Sequence, residues 1–251
     1  MRADIADLGA TARSGAARTI VAKGGADAPA RFYGVVALIG ASVFVGSLIA
    51  LHAVRADIDW VTHYVSDFAN GRFGWLLVFG AAVHGIGNAG LSIGLWRALG
   101  PGRLNAWGAL LLGVSAVGIV MGGVFPIDPA GQPATWTGVA HRAIVAGAFA
   151  VETLALFLLN RAFARSASWR DAAARGRVFA TVAALTLAGL LVAVQQQTAQ
   201  GLAERAALAA FMSWEVWAAI VLTWPHRFMK SQGKEAPLRD VGSSRVGGGF
   251  R

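Results

Sequence analysis

Six stretches of mostly apolar residues, each about as long as a bilayer is thick, leave this chain very few folds to choose from. Crossing the hydrocarbon core takes roughly 20 apolar residues in a helix. A helix is favoured there because it satisfies its own backbone hydrogen bonds. The stretches run from about Phe32 to Val54, Phe73 to Leu99, Ala106 to Phe125, Thr137 to Asn160, Val178 to Gln197 and Ala206 to Trp224. Gly100-Pro101-Gly102, Pro126 and Pro225 close three of them, since proline lacks the amide a helix needs. The sequence therefore predicts an all-α, polytopic bundle of six transmembrane helices. Residues 31–226 form the membrane domain, 1–30 a flexible N-terminal tail and 227–251 a flexible basic C-terminal tail.

Composition agrees. Charged residues make up only 14% of the chain, against about 25% in a typical soluble domain. A net charge of +9 would suggest nucleic acid in a soluble domain. Here the basic residues gather at helix ends, so the expectation is no nucleic-acid partner. The chain has no cysteine, which removes disulfides and thiolate chemistry. The first thirty residues lack the apolar run of a cleavable signal peptide, so the first helix is expected to serve as the insertion signal.

The distribution of lysine and arginine sets the expected direction. Eighteen of the 22 fall in the N-terminal segment, the second and fourth connections and the C-terminal tail. Only Arg55, Arg72, Arg142 and Arg205 lie on the other side. By the positive-inside rule both termini are cytoplasmic, and the expected location is a bacterial cytoplasmic (inner) membrane. Trp60, Trp75, Trp136, Trp96, Trp107 and Trp224 fall near helix ends, where amphipathic rings sit at the interface. The pairs Gly90/Gly94 and Gly118/Gly122 read as close helix contacts. The two halves show no convincing repeat of the kind inverted transporters carry.

With that orientation, polar residues concentrate on the extracytoplasmic side. The first outer connection carries His63, Ser66 and Asp67, the third Asp128, and the fifth, read as a short loop, Glu204 and Arg205. His52 stands at the outer end of the first helix. Inside the apolar stretches lie His84 with Asn88 one turn on, His141 with Glu152 eleven residues later, and Glu215. Ionisable groups cost roughly 2.5–3.5 kcal/mol or more in hydrocarbon. They are therefore expected to face the bundle interior, either bonding neighbouring helices or lining a site.

Two motifs carry a family resemblance. One is Ser66-Asp67-Phe68-Ala69 through Gly74-Trp75-Leu76-Leu77; the other is Phe125-Pro126-Ile127-Asp128-Pro129, followed by Thr137-Gly138 and His141. Over residues 32 to 226 the chain resembles the prokaryotic membrane family called domain of unknown function 998, whose members are similar six-helix proteins without an agreed activity. The family's first motif often has tyrosine before its alanine, where this chain has Phe68. The resemblance makes Asp128 and His141 the leading paired candidates, with Asp128 fixing the His141 tautomer or binding a cation.

Several chemistries fit these residues. The first is binding or handling of a lipid or small molecule in an extracytoplasmic-facing pocket drawn from Asp128, His141, His84, His63, Asp67, Asn88, Glu152 and Glu215. The second is a metal-dependent membrane hydrolase. In it Asp128, His141, His84 and His63 hold a divalent ion such as zinc, although no HExxH motif is present. A structural or assembly role without catalysis is the third. Bis-histidine haem through His84 and His141 is disfavoured by their different depths. Ser66 lacks a nucleophile-elbow motif, and Asp67 or Asn70 reads more simply as a cap on the second helix.

Overall fold

The structure is a computed structural model that describes residues 4–129 and 131–228. Among these residues it is all-helical. The main helices are α1 (Asp4–Val54), α2 (Gly74–Leu99), α3 (Arg103–Val124), α4 (Trp136–Arg165), α5 (Arg170–Gln196) and α6 (Gln200–Thr223). A 3-10 turn (Val65–Ala69) lies between α1 and α2, and a short α7 (Pro225–Phe228) follows α6. Six of the helices are long and apolar enough to cross a membrane, with Pro29–Val54 as the crossing part of α1. The protein is a multi-pass membrane protein.

Two boundaries differ from the sequence reading. The α1 backbone is helical back to Asp4, through most of the stretch read as a flexible tail; alanine and arginine there are good helix formers. The α5–α6 connection is also shorter than expected. Gln197 and Ala199 take left-handed conformations (φ 52° and 49°) and reverse the chain within three residues. Glu204 and Arg205 therefore stand inside α6 rather than in a fifth loop. The basic C-terminal segment lies outside the described residues from 229 onward.

Sequential helices pack as neighbours, and α1 closes the ring against α6. α6 is the most enclosed: 67% of its most apolar window is buried, against 17% for α5. This places α6 toward the centre and α5 at the rim. Large apolar side chains such as Ile39, Ile86, Val117, Leu154 and Leu185 point outward, as lipid-facing positions require. Trp60, Trp75 and Trp136 at one end, and Trp96, Trp107 and Trp224 at the other, are all exposed. The small-residue pairs do mediate close packing. Side chains added at Gly118 and Gly122 would meet Ala148 and Val145 of α4, and one at Gly94 would meet Leu222 and Tyr33.

The interior is layered. One apolar cluster gathers Leu91, Leu95, Leu112, Leu156, Phe163 and Trp214. A smaller one gathers Phe44, Leu51, Val65, Phe68, Leu77 and Met212 at the end bearing the α1–α2 connection. On α2 the buried His84 falls between Leu77 of the smaller cluster and Leu91 of the larger, and on α6 the buried Glu215 follows Met212 of the smaller cluster and adjoins Trp214 of the larger.

The α1–α2 connection is tied down by one buried arginine. Arg55 donates to the carbonyls of Asn70 and Arg72, both at 2.9 Å, and pairs with Asp57 at 2.7 Å. The Asp57 bond holds the guanidinium above its ordinary pKa, against the opposing effect of burial. Gly71, at φ 84°, lets the backbone turn beside that guanidinium. Other bonds join this loop to its neighbours. Leu202 N donates to Val61 O at 3.1 Å, and Asn70 Nδ2 donates to Ile127 O at 3.3 Å. The three connections at this end thus form one cap over the bundle.

Candidate functional site

At the centre of the polar layer, His84 Nε2 lies 2.7 Å from Glu215 Oε2. Asn88, one turn along α2, donates Nδ2 to Glu215 Oε1 at 2.8 Å. Both oxygens of Glu215 are therefore held by α2. The His84 ring stacks on Phe44 of α1, with centroids 5.1 Å apart and planes 12° apart, which fixes its rotation. Ser115 of α3 donates to Glu152 Oε2 of α4 at 2.7 Å. Glu152 and Glu215 come within side-chain hydrogen-bonding reach of one another. Five side chains from four helices thus form one chain, Ser115–Glu152–Glu215–His84 with Asn88, and all five are buried.

A cavity of about 120 Å³ opens on this chain. His84, His141, Glu152 and Glu215 contribute to its wall, and Glu204 and Ser66 line it toward the loop-bearing end. The remaining lining is apolar, including Phe44, Leu77, Phe149, Phe211 and Met212. His141 presents a defined nitrogen to this space. Its Nδ1 lies 2.9 Å from Gly122 O and 2.8 Å from Phe125 O, so it is the donor. Nε2 of the neutral ring is then left as an acceptor.

The other candidates gather elsewhere. His63, Asp67 and Asp128 line a second pocket of about 330 Å³ with Thr62, Tyr64, Ile127, Arg142 and Gln200. Asp128 accepts from Thr135 Oγ1 at 2.6 Å and faces Arg142 at 3.3 Å. The Thr135 hydroxyl, with lesser help from the Thr135 amide and Arg142, holds its pKa below the ordinary carboxylate value despite some desolvation. Asp67 behaves oppositely. Burial pushes its pKa up, only partly offset by the Tyr64 N–H donating to Oδ2 at 2.8 Å. Burial also raises the Tyr64 phenol, with Glu204 and Asp67 adding to the effect.

Three expectations are corrected by this geometry. Asp128 and His141 do not pair: Asp128 bonds Thr135 and Arg142, whereas His141 bonds main-chain carbonyls. The four-residue metal set of Asp128, His141, His84 and His63 does not assemble. Among the described residues no three histidine, aspartate or glutamate side chains are grouped so as to hold a metal ion. Nor do Asp67 and Asn70 cap α2, which begins without a side-chain cap after Phe73 in a left-handed conformation. Asp67 closes the 3-10 turn instead, and Asn70 bonds Ile127.

Other contributors carried little signal. Ser115 is one serine in an apolar run, yet it is fully buried and holds Glu152. Glu204 accepts a hydrogen bond from Val65 N. Arg205 donates to His52 Nε2 at 3.0 Å and to His63 O at 2.8 Å, joining α6 to α1 and its following loop.

No curated protein and no solved structure is matched by this chain. One family model matches, described as a protein of unknown function (DUF998), over residues 38–221. That span holds all six crossing segments in whole or in large part, both motifs and every residue of the central polar chain. The chain belongs to the DUF998 family.

Proposed function

We propose that this protein binds a small membrane-soluble molecule, or one moiety of a lipid, in the central cavity. It does so from the extracytoplasmic side of a bacterial inner membrane, with both termini in the cytoplasm. The observation that carries the reading is the cavity itself: apolar walls with His84, His141, Glu152 and Glu215 converging on it in mid-bundle. A mostly apolar space with a few convergent polar groups is the usual form of a small-molecule site. Eighteen basic residues against four support the orientation.

Size narrows the ligand. An apolar cavity of about 150 Å³ holds a benzene ring. At about 120 Å³ the space suits a single ring, a short branched chain or part of a headgroup, but not an entire phospholipid. The exposed chemistry narrows it again. Glu152 contributes to the wall, and the free His141 nitrogen accepts. A ligand carrying a hydroxyl or amine hydrogen would satisfy that nitrogen.

Native mass spectrometry of protein purified in lipid nanodiscs tests this. The expected result is a discrete bound mass in the native protein that falls at least severalfold in His141→Ala and Glu152→Gln. Absence of any bound species after extraction directly from the producing membranes counts against the proposal.

A further inference from the structure

We propose that Glu152 and Glu215 share one exchangeable proton, making the centre of the bundle an intramembrane proton-binding site that opens on the cavity. This goes beyond ligand binding and holds whether or not the cavity takes an organic molecule.

The hydrogen-bond pattern supports it. Glu215 already accepts at both oxygens, from His84 and from Asn88. Glu152 accepts from Ser115 at Oε2 and has the Asn88 amide beside it, while Oε1 is buried without a hydrogen bond. The two carboxyl groups nevertheless lie within hydrogen-bonding reach of each other. Two carboxylates have only acceptors to offer, so a proton is what turns this approach into a bond. Charge leads to the same place. His84 in its protonated form balances one carboxylate, and the second would remain an uncompensated buried charge, which is costly. No lysine or arginine lines the cavity.

The surroundings are fully specified. α2 presents His84 and Asn88, α3 Ser115, α4 Glu152 and His141, and α6 Glu215 and Glu204. α1 presents Phe44, which does not titrate, and α5 does not line the cavity. Since both glutamates line it, the proton reaches them from water within it. One O–H bond forms on a carboxyl oxygen as one breaks in a hydronium ion, leaving water. The imidazole of His84 bonds Glu215 Oε2 and stabilises the charge that remains there.

Infrared titration of the full chain in nanodiscs, with isotope-labelled glutamate, reads the proton directly. In a Glu204→Gln background, which removes the other buried glutamate of the cavity wall, the expected result is a protonated-carboxyl C=O band of glutamate that is lost in Glu152→Gln and shifts in Glu215→Gln, where Glu152 keeps the proton without its partner. Ser115→Ala keeps both carboxyls but removes a hydrogen bond from one of them, so it shifts the band without abolishing it. This variant serves where the glutamine variants fail to fold. The proposal is overturned if no such band appears between mildly alkaline and mildly acidic pH. It is equally overturned if, in that background, the band survives Glu152→Gln, is unmoved in Glu215→Gln or does not move in Ser115→Ala.

Discussion

His84 and Glu215 stand 131 residues apart in the chain and 2.7 Å apart in the folded bundle. The bond joins α2 to α6 across the interior, and each side chain is about 95% buried. A carboxylate at that depth depends on its partner, because removing one member of a buried pair costs roughly 3–5 kcal/mol. His84→Ala is therefore expected to destabilise the protein by about that amount. In a Glu215→Gln background the same change should cost less, with a coupling of at least about 1 kcal/mol. Thermal unfolding of the four proteins in one detergent measures the cycle; additive effects would show that the contact contributes nothing.

The cap over the bundle rests on a close approach at Gly201. A Cβ there would meet the carbonyl group of His63, which is main chain and cannot rotate aside. Gly201→Ala is expected to cost about 1–3 kcal/mol through overpacking and to speed amide hydrogen exchange across residues 59–70. Gly189, in α5, has open space where an added Cβ would sit, with nothing within 4 Å. Gly189→Ala should instead be neutral or stabilise, by up to about 1 kcal/mol of helix propensity. Equal effects at the two sites would contradict the packing described for Gly201.

Asp67 and Asp128 share a pocket and should respond to pH with opposite sign. The Asp128 pKa is depressed on folding, so its stabilising contribution is full above the ordinary carboxylate range and is lost as pH falls through the folded value. The Asp67 pKa is raised by burial. Its ionisation therefore opposes folding above that raised value and ceases to do so below the ordinary carboxylate range. Asp128→Asn is expected to lower the unfolding temperature at neutral pH and Asp67→Asn to raise it, with both differences shrinking on acidification. Melting curves across pH check the signs, and shifts of the same sign would refute the assignment.

The six spans were readable because each is a long apolar run, and hydrocarbon leaves such a run little choice but a helix. The pairings among them were not. Which faces meet depends on helix rotation and crossing, and nothing local encodes that. His141 and Glu152 share a helix face by spacing and do line one cavity, but each bonds α3 rather than the other: His141 its final turn, Glu152 Ser115. Asp128 and Arg142 pair across the α3–α4 connection, where the family resemblance pointed to His141. The placement of Glu204 and Arg205 turned on two left-handed residues, Gln197 and Ala199. Neither is glycine, so composition gave no sign of a tight turn.

Ligand binding between His84, His141, Glu152 and Glu215 can be seen directly. The measurement is an experimental structure of the protein purified from its own membrane into nanodiscs, at a resolution that separates side chains. Ordered non-protein density is expected in the cavity, touching Glu152 or the free His141 nitrogen, with His84 still bonded to Glu215. A cavity closed by Phe149 and Phe211, with Glu152 and Glu215 turned away from one another, would refute both the binding site and the shared proton.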